Sequence, residues 1–156
     1  MTLRLSQWVT PNAIQVGASP KDRAGLIAEV ASLAHRVVPH LGTLVVREAL
    51  LEREELAPTG IGDGVALPHG KVPGIDEPVT LLVVVSRGVD FGAPDGRPVE
   101  VALALLNPLS GADPLKTLAK LSRPLRDPVV RRRLIGAATP EEAWEVLKAH
   151  ERDRSS

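Results

Sequence analysis

The sequence contains no cysteine, and this absence excludes several classes of site at once. Disulfide bonds, thiolate metal sites, iron–sulfur clusters and cysteine nucleophiles all need that side chain. Aromatic residues are almost as scarce, since two Trp and one Phe are the whole set among 156 residues. So few rings offer little surface on which nucleobases can stack. Any chemistry must therefore come from histidine, carboxylate, hydroxyl or cationic side chains.

The chain also lacks net charge, because 19 Lys and Arg residues balance 19 Asp and Glu residues. A dedicated nucleic-acid-binding domain carries a strong basic excess, so the balance favours protein partners and argues against nucleic acid. No secretory signal opens the sequence, and the apolar run at 79–85 is far shorter than the ~20 residues of a membrane-spanning helix. These features predict a cytoplasmic protein without membrane insertion.

The sequence does contain enough apolar residues, 44%, for a packed core. A chain of this length fits one domain, which we expect at 1–151, followed by a short polar tail at 152–156. Small polar residues followed by proline mark several helix starts. Together with apolar periodicity they predict helices over 20–38, 44–56, 114–125, 128–135 and 140–149. In the second of these, Val45, Ala49 and Leu56 are expected to face inward.

The middle of the chain predicts a β-sheet. Residues 79–85 are nearly all β-branched or leucine, which is typical of a strand buried on both faces. Val89 and Phe91 predict a short strand, and residues 99–105 predict another after a Pro-Asp-Gly turn. The turn makes these last two an antiparallel hairpin. This order of helices and strands predicts an α/β or α+β layered domain.

The segment at 58–71, PTGIGDGVALPHGK, is the unusual part of the sequence. A Walker phosphate loop needs four residues between its first glycine and its Gly-Lys pair, whereas five separate Gly64 from Gly70 and Pro68 interrupts them. A Rossmann fingerprint needs a strand before its glycines, whereas a charged helix is predicted there. A metal site needs clustered ligands, and no recognised ligand spacing surrounds His69.

A histidine nucleophile is the remaining chemistry for this segment. A neutral imidazole can accept a phosphoryl group without prior activation. Gly60, Gly62 and Gly70 would let backbone N–H groups approach phosphate oxygens, and Arg53 or Lys71 would neutralise the charge. From these residues alone, an ordinary glycine-rich turn with a surface histidine stays open as the alternative.

Three segments resemble the signature of type-2 enzyme IIA domains: Arg53-Glu54, Thr59-Gly60-Ile61-Gly62 and the run at 64–71. These domains are the fructose/mannitol-type and nitrogen-regulatory members of the phosphoenolpyruvate-dependent phosphotransferase system. The resemblance continues through the predicted sheet and the terminal helices, so it covers essentially the whole chain. It implies a cytoplasmic phosphocarrier with a mixed β-sheet flanked by helices, and neither a cofactor nor a metal.

The resemblance also implies roles for individual residues. His69 would be the phosphorylated nucleophile, and Arg53 would stabilise the phosphoryl group. The residues implied to support the phosphate are Thr59, Gly60, Gly62, Gly70 and Lys71. An HPr-type phosphocarrier protein would be the donor, and an enzyme IIB or a regulatory target would be the acceptor. The other imidazole nitrogen should bond a fixed acceptor, so that the attacking nitrogen keeps its lone pair.

One position departs from the family's pattern. The family usually has a second histidine at the start of the helix predicted over 114–125, and this chain has Pro114 there. Because His69 and Arg53 remain, we expect a histidine phosphocarrier. With no fused transporter or enzyme IIB segment, a regulatory, nitrogen-type role is favoured over a sugar-specific one. The alternative is a non-catalytic regulatory module that keeps the fold but has lost efficient phosphotransfer.

A basic stretch at 116–133 holds seven cations against Asp127 alone. A solvated charged surface is the expected interpretation, and a docking patch for an acidic partner is the alternative.

Overall fold

The computed structural model describes residues 3–155, with residues 154 and 155 described by their backbone alone. The helices are α1 Leu5–Trp8, α2 Arg23–Val37, α3 Thr43–Leu56, α4 Leu115–Leu121, α5 Pro128–Gly136 and α6 Pro140–Ser155. The strands are β1 Ile14–Ala18, β2 Gly60–Gly62, β3 Val65–Ala66, β4 His69–Val72, β5 Val79–Val89 and β6 Val99–Pro108. Two 3₁₀ turns lie at Pro11–Ala13 and Arg123–Arg126.

Within the described residues the strands form one mixed sheet in the order β1-β5-β6-β3-β2, and β4 also pairs with β6. The central β5 and β6 are antiparallel, and β1 runs parallel to β5. Both β3 and β4 run parallel to β6, with Val65 opposite Val101 and His69 opposite Leu105. These two short strands therefore follow one another along the same edge of β6. The predicted mixed sheet flanked by helices is confirmed.

The two central strands hold the core, as the apolar run at 79–85 predicts. Side chains at 80–85 and 101–106 are buried on both faces of the sheet. The prediction of a separate strand at Val89 and Phe91 is wrong, because β5 itself extends to Val89, which pairs with Val99. An irregularity after Val84, with exposed residues at 86–88, interrupts the apolar pattern and hides this continuity. Phe91 lies beyond the strand and is fully buried.

Two predictions for the first helices need correction. α2 begins at Arg23 and not at residue 20, because the Asp22 side chain accepts a hydrogen bond from the Gly25 amide, 2.8 Å away. α3 has nearly the predicted bounds but presents a different face. Its buried residues are Val46, Leu50 and Glu54, whereas Val45 and Leu56 are exposed and Ala49 is half-buried.

The helix predicted over 114–125 is divided in two. α4 ends at Leu121 and a 3₁₀ turn follows, because Pro124 has no amide hydrogen and disfavours helical geometry in the residue before it. The predicted starts of the last two helices are confirmed: Asp127 accepts from the Val129 amide and Thr139 from the Glu142 amide. α6 continues to Ser155, so the polar residues 152–155 are helical.

Candidate active site

His69 is the first residue of β4, and its backbone is fixed by the centre of the sheet. The Leu105 amide donates to the Pro68 carbonyl over 3.1 Å, which aligns β4 with β6 just before the histidine. The His69 residue is only 3% exposed. The imidazole is therefore held by the sheet and does not move freely on a loop.

The hydrogen bond at Nδ1 sets the tautomer of His69. Nδ1 lies 2.7 Å from the Leu67 carbonyl oxygen, within a buried pair. A carbonyl oxygen can only accept, so Nδ1 carries the proton and donates it. In the neutral ring Nε2 then keeps the lone pair and is the ring nitrogen that could act as a nucleophile. The fixed acceptor expected for the second ring nitrogen is thus the backbone of Leu67.

Nε2 of His69 faces the loop between β6 and α4. Oδ1 of Asp113 lies 4.0 Å from this nitrogen, and the Asp113 side chain is 76% exposed. The nucleophilic nitrogen therefore lies beside an edge of the protein that solvent reaches. Nothing local in the sequence reveals that Asp113 faces His69.

Arg53 lies in the last turn of α3, which packs along β4. Along this helix, Ala49 approaches Gly70, and Thr59, just beyond the helix, accepts from the Leu67 amide over 2.9 Å. Arg53 falls between these two contacts in the sequence. Its Nη1 donates to the Ala57 carbonyl over 2.8 Å, and it forms no ion pair with any residue described.

A buried carboxylate supports this arrangement. Glu54 is 5% exposed and accepts hydrogen bonds from both the amide and the hydroxyl of Thr59, the amide at 3.0 Å. Thr59 in turn is bonded to Leu67, whose carbonyl holds His69. A chain of hydrogen bonds thus links the end of α3 to the imidazole. Glu54 lies four residues after Leu50 and therefore on the same helix face, and this spacing is the sequence signal that predicts its burial.

The glycines before the histidine pack against a neighbouring loop. A side chain at Gly60 would begin 3.2 Å from the Cα of Ala93, and one at Gly62 would begin 3.1 Å from Asp95. Gly62 also has a φ of +93°, which favours glycine. These two residues therefore bring β2 against the loop at 93–95.

The remaining predicted support residues are near His69 in the strand. Gly70 follows it directly and is half-buried beside α3. Lys71 lies two residues further along β4, so it belongs to the same face of the sheet, and it is exposed. Pro114 is buried at the start of α4.

The described residues contain no cluster of three or more His, Cys, Asp or Glu side chains arranged to hold a metal ion. None of the helices described is long and apolar enough to span a bilayer.

The sequence model of the family described as "Phosphoenolpyruvate-dependent sugar phosphotransferase system, EIIA 2" matches residues 7–150. The chain belongs to this enzyme IIA family. The resemblance noted from the motif at 53–71 is therefore confirmed over nearly the whole length of the protein.

Individual relatives agree with this assignment. A nitrogen regulatory protein of Bradyrhizobium diazoefficiens is 34% identical over 144 residues, which is 92% of this chain and 94% of the relative. The crystal structure of nitrogen regulatory protein IIA-Ntr from Neisseria meningitidis is 30% identical, with a TM-score of 0.78 over 92% of this chain and 98% of that one. The Escherichia coli complex of enzyme IIAMTL with phosphorylated enzyme IIBMTL contains the same fold, with 20% identity and a TM-score of 0.73 over 90% and 97% of the chains.

Proposed function

We propose that this type-2 enzyme IIA is a histidine phosphocarrier in which Nε2 of His69 accepts a phosphoryl group from an HPr-type donor. The observation that carries the proposal is the hydrogen bond from Nδ1 to the Leu67 carbonyl. It leaves the lone pair on the nitrogen that faces the accessible edge at Asp113. A buried imidazole with one nitrogen fixed by a hydrogen bond and a lone pair on the other is better suited to act as a nucleophile than the imidazole of an ordinary surface histidine.

The transfer needs no cofactor. The donor is a phosphohistidine whose other ring nitrogen is protonated. Nε2 of His69 attacks the phosphorus, the Nε2–P bond forms, and the donor's N–P bond breaks with its electron pair returning to the donor nitrogen. Nδ1 of His69 keeps its proton on the Leu67 carbonyl throughout. The positive charge of the doubly substituted ring is balanced by the phosphoryl oxygens.

Arg53 is the proposed cation for the phosphoryl oxygens. A guanidinium can bind two of these oxygens at once and offset the charge that spreads over them in the transition state. One Nη1 bond to Ala57 holds the side chain at the end of α3. No carboxylate described in the structure pairs with it, so its charge remains available to an incoming phosphoryl group.

We further propose that the carrier acts in regulation, in the cytoplasm, and that its partners are proteins. The relatives described as nitrogen regulatory proteins, one of which the chain covers almost entirely, support a regulatory role. The complex of enzyme IIAMTL with phosphorylated enzyme IIBMTL is a precedent for an enzyme IIB as acceptor. A regulated target protein would take the same place in a regulatory branch.

The direct test is phosphorylation of the purified chain by an HPr-type protein, enzyme I and phosphoenolpyruvate. We expect one acid-labile phosphoryl group per chain, with a ³¹P–¹⁵N coupling that places it on Nε2. His69→Ala should abolish the label completely, because no other described histidine is buried with a free ring nitrogen. His35→Ala is the matched control, since His35 also bonds a carbonyl through Nδ1 but is exposed.

Two results would contradict the proposal. The first is phosphorylation of the His69→Ala variant, which would mean that another residue is the nucleophile. The second is a wild-type chain that takes up no phosphoryl group from any HPr-type donor but still binds a partner protein. This result would favour the non-catalytic regulatory module, which the presence of Pro114 suggests.

A further inference from the structure

One carboxylate oxygen of Asp113 lies close both to the imidazole of His69 and to the first residue of α4. Oδ1 of Asp113 lies 4.0 Å from Nε2 of His69 and also accepts a hydrogen bond from the Leu115 amide over 3.1 Å. The first contact faces the nucleophilic nitrogen, and the second secures the first residue of α4. The position of the Asp113 side chain therefore links the imidazole to the start of a helix.

A phosphoryl group on Nε2 is incompatible with this position of Asp113. The group carries ~1.5 to 2 negative charges at neutral pH. With phosphorus bonded to Nε2, its oxygens would enter the 4.0 Å gap that separates this nitrogen from the carboxylate. Two like unit charges 4 Å apart in water shift an equilibrium by about fivefold. Crowding and charge repulsion therefore both disfavour this position of the carboxylate.

The neighbouring proline favours displacement of the Asp113 carboxylate by rotation of its side chain over a change in the backbone. Pro114 disfavours helical geometry in the residue before it, so a change in the Asp113 backbone is less favourable than rotation of its side chain. Pro114 is itself buried and has no amide hydrogen to offer the phosphoryl oxygens. When the carboxylate rotates outward into solvent, the Leu115 amide loses its acceptor.

We propose that Asp113 is a positioning residue that opposes phosphorylation of His69 and transmits the phosphorylation state to the first turn of α4. This proposal rests on the proposed function of His69. In the unphosphorylated protein the carboxylate accepts a hydrogen bond from the Leu115 amide. In the phosphorylated protein the carboxylate moves away and water replaces it as the acceptor. A protein that contacts the start of α4 would meet a different surface in each state.

The chain contains a matched control for Asp113. Asp127-Pro128-Val129 repeats the Asp-Pro-apolar sequence of Asp113-Pro114-Leu115, and Oδ1 of Asp127 accepts from the Val129 amide over 2.9 Å. The Asp127 turn starts α5 and has no ion-pair contact with a histidine among the residues described. Charge removal at 113 and at 127 thus perturbs the same kind of hydrogen bond, from a carboxylate to the amide two residues later, and only Asp113 lies beside His69.

The experiment measures the equilibrium of phosphoryl transfer between a phosphorylated HPr-type donor and three proteins: wild type, Asp113→Asn and Asp127→Asn. Asn retains the capping oxygen and removes the charge. We expect Asp113→Asn to shift the equilibrium toward the phosphorylated chain by about three- to tenfold at low salt, and by less at 1 M salt where the Debye length is about 3 Å. Asp127→Asn should leave it unchanged at both salt concentrations.

A second measurement follows the backbone amides. Phosphorylation of the wild type should shift the Leu115 amide resonance and raise its hydrogen exchange about tenfold or more, as expected when a cap is released, with the Val129 amide unaffected. An unshifted Leu115 amide would overturn the proposal. So would an equal transfer equilibrium for Asp113→Asn and Asp127→Asn.

Phosphoramidate, a small chemical phosphoryl donor, separates this proposal from the proposed function. If phosphoramidate phosphorylates Nε2 and HPr-type donors do not, the proposed phosphocarrier function is wrong. The role of Asp113 is then still decided by the resonance and hydrogen exchange of the Leu115 amide, and by the rates at which phosphorylated Asp113→Asn and Asp127→Asn hydrolyse. If neither reagent phosphorylates Nε2, both proposals are wrong.

Discussion

The two ends of β6 use charged residues in opposite ways. Near the Val99 end, Arg131 is 7% exposed, pairs with Glu100 over 3.0 Å and donates to the Leu125 carbonyl over 2.9 Å. Near the Pro108 end, His69 faces an Asp113 that is 76% exposed and 4.0 Å away. At the first end the charges are committed to each other. At the second, the Asp113 carboxylate lies in solvent beside the His69 ring nitrogen that keeps the lone pair.

The backbone around the two ends is similar, so the difference does not come from the fold. A short strand runs parallel to β6 at each end, β3 in one case and β4 in the other. Beside β3, Asp63 and Gly64 both have positive φ and form the two-residue turn of a hairpin. Beside β4, the next element is α3, which carries Arg53. The side-chain partners make the first end structural, and under the proposed function the second is the chemical end.

Removing the buried cation should have the largest effect on stability. Arg131→Met leaves the Leu125 carbonyl without its donor and Glu100 without its partner, and should lower the free energy of unfolding by about 2–4 kcal/mol. The phosphorylated fraction of the folded protein should not change. Urea unfolding measures the first quantity and phosphoprotein gels the second. Arg132→Met, at an exposed neighbour, should change stability by less than about 0.5 kcal/mol.

This comparison fails if Arg131→Met is as stable as the Arg132 variant, because the ion pair would then not hold that end of the sheet. It also fails if the folded Arg131 variant loses phosphorylation, since the two ends would not be independent.

The sequence predicts the parts of this molecule that depend on local patterns. The continuous apolar run predicts the buried β5, the Asp-Pro and Thr-Pro pairs predict the caps of α5 and α6, and the motif predicts His69. Each of these signals lies within a few residues of the feature that it predicts. The resemblance then supplies Arg53, whose role no periodicity could indicate.

The features that the sequence does not predict depend on contacts between distant residues. Arg131 was one cation among seven in a stretch interpreted as a solvated surface, and its burial depends on Glu100, 31 residues away. β3 and β4 have two and four residues, too few for periodicity to indicate a strand. The inward face of α3 was misassigned because its buried row ends in a carboxylate, Glu54, that only Thr59 makes acceptable.

Substitutions of Arg53 test whether its guanidinium assists phosphorylation of His69 at the chemical end of β6. Arg53→Ala should slow phosphorylation of His69 by about hundredfold, because a cation that stabilises the transferring group is removed. Arg53→Lys should recover only part of this rate, since lysine keeps the charge but not the planar pair of donors. Rapid-quench kinetics with a phosphorylated HPr-type donor measures the rates. Arg47→Ala, on the exposed side of the same helix, should match the wild type. Equal rates for the Arg53 and Arg47 alanine variants would remove Arg53 from the site.

The smallest effect is expected at Asp95, on the structural side of the comparison. Its carboxylate accepts hydrogen bonds from the Asp63 amide over 2.8 Å and from the Arg97 amide over 3.1 Å. These bonds, that to Asp63 first, hold the pKa of Asp95 below its ordinary value of 3.8. The unfolded chain therefore binds more protons at this residue than the folded chain, within the interval between the two pKa values.

Stability from Asp95 is accordingly complete above the unfolded pKa of 3.8 and is lost as the pH falls through the lower pKa of the folded state. Between pH 5 and pH 2 the wild type should lose slightly more stability than Asp95→Asn, whose side chain does not titrate. Thermal unfolding of both proteins across this range measures the difference, with exposed Asp76→Asn as the control. Parallel curves for wild type and Asp95→Asn would mean that the charged form contributes nothing to holding the β2–β3 turn.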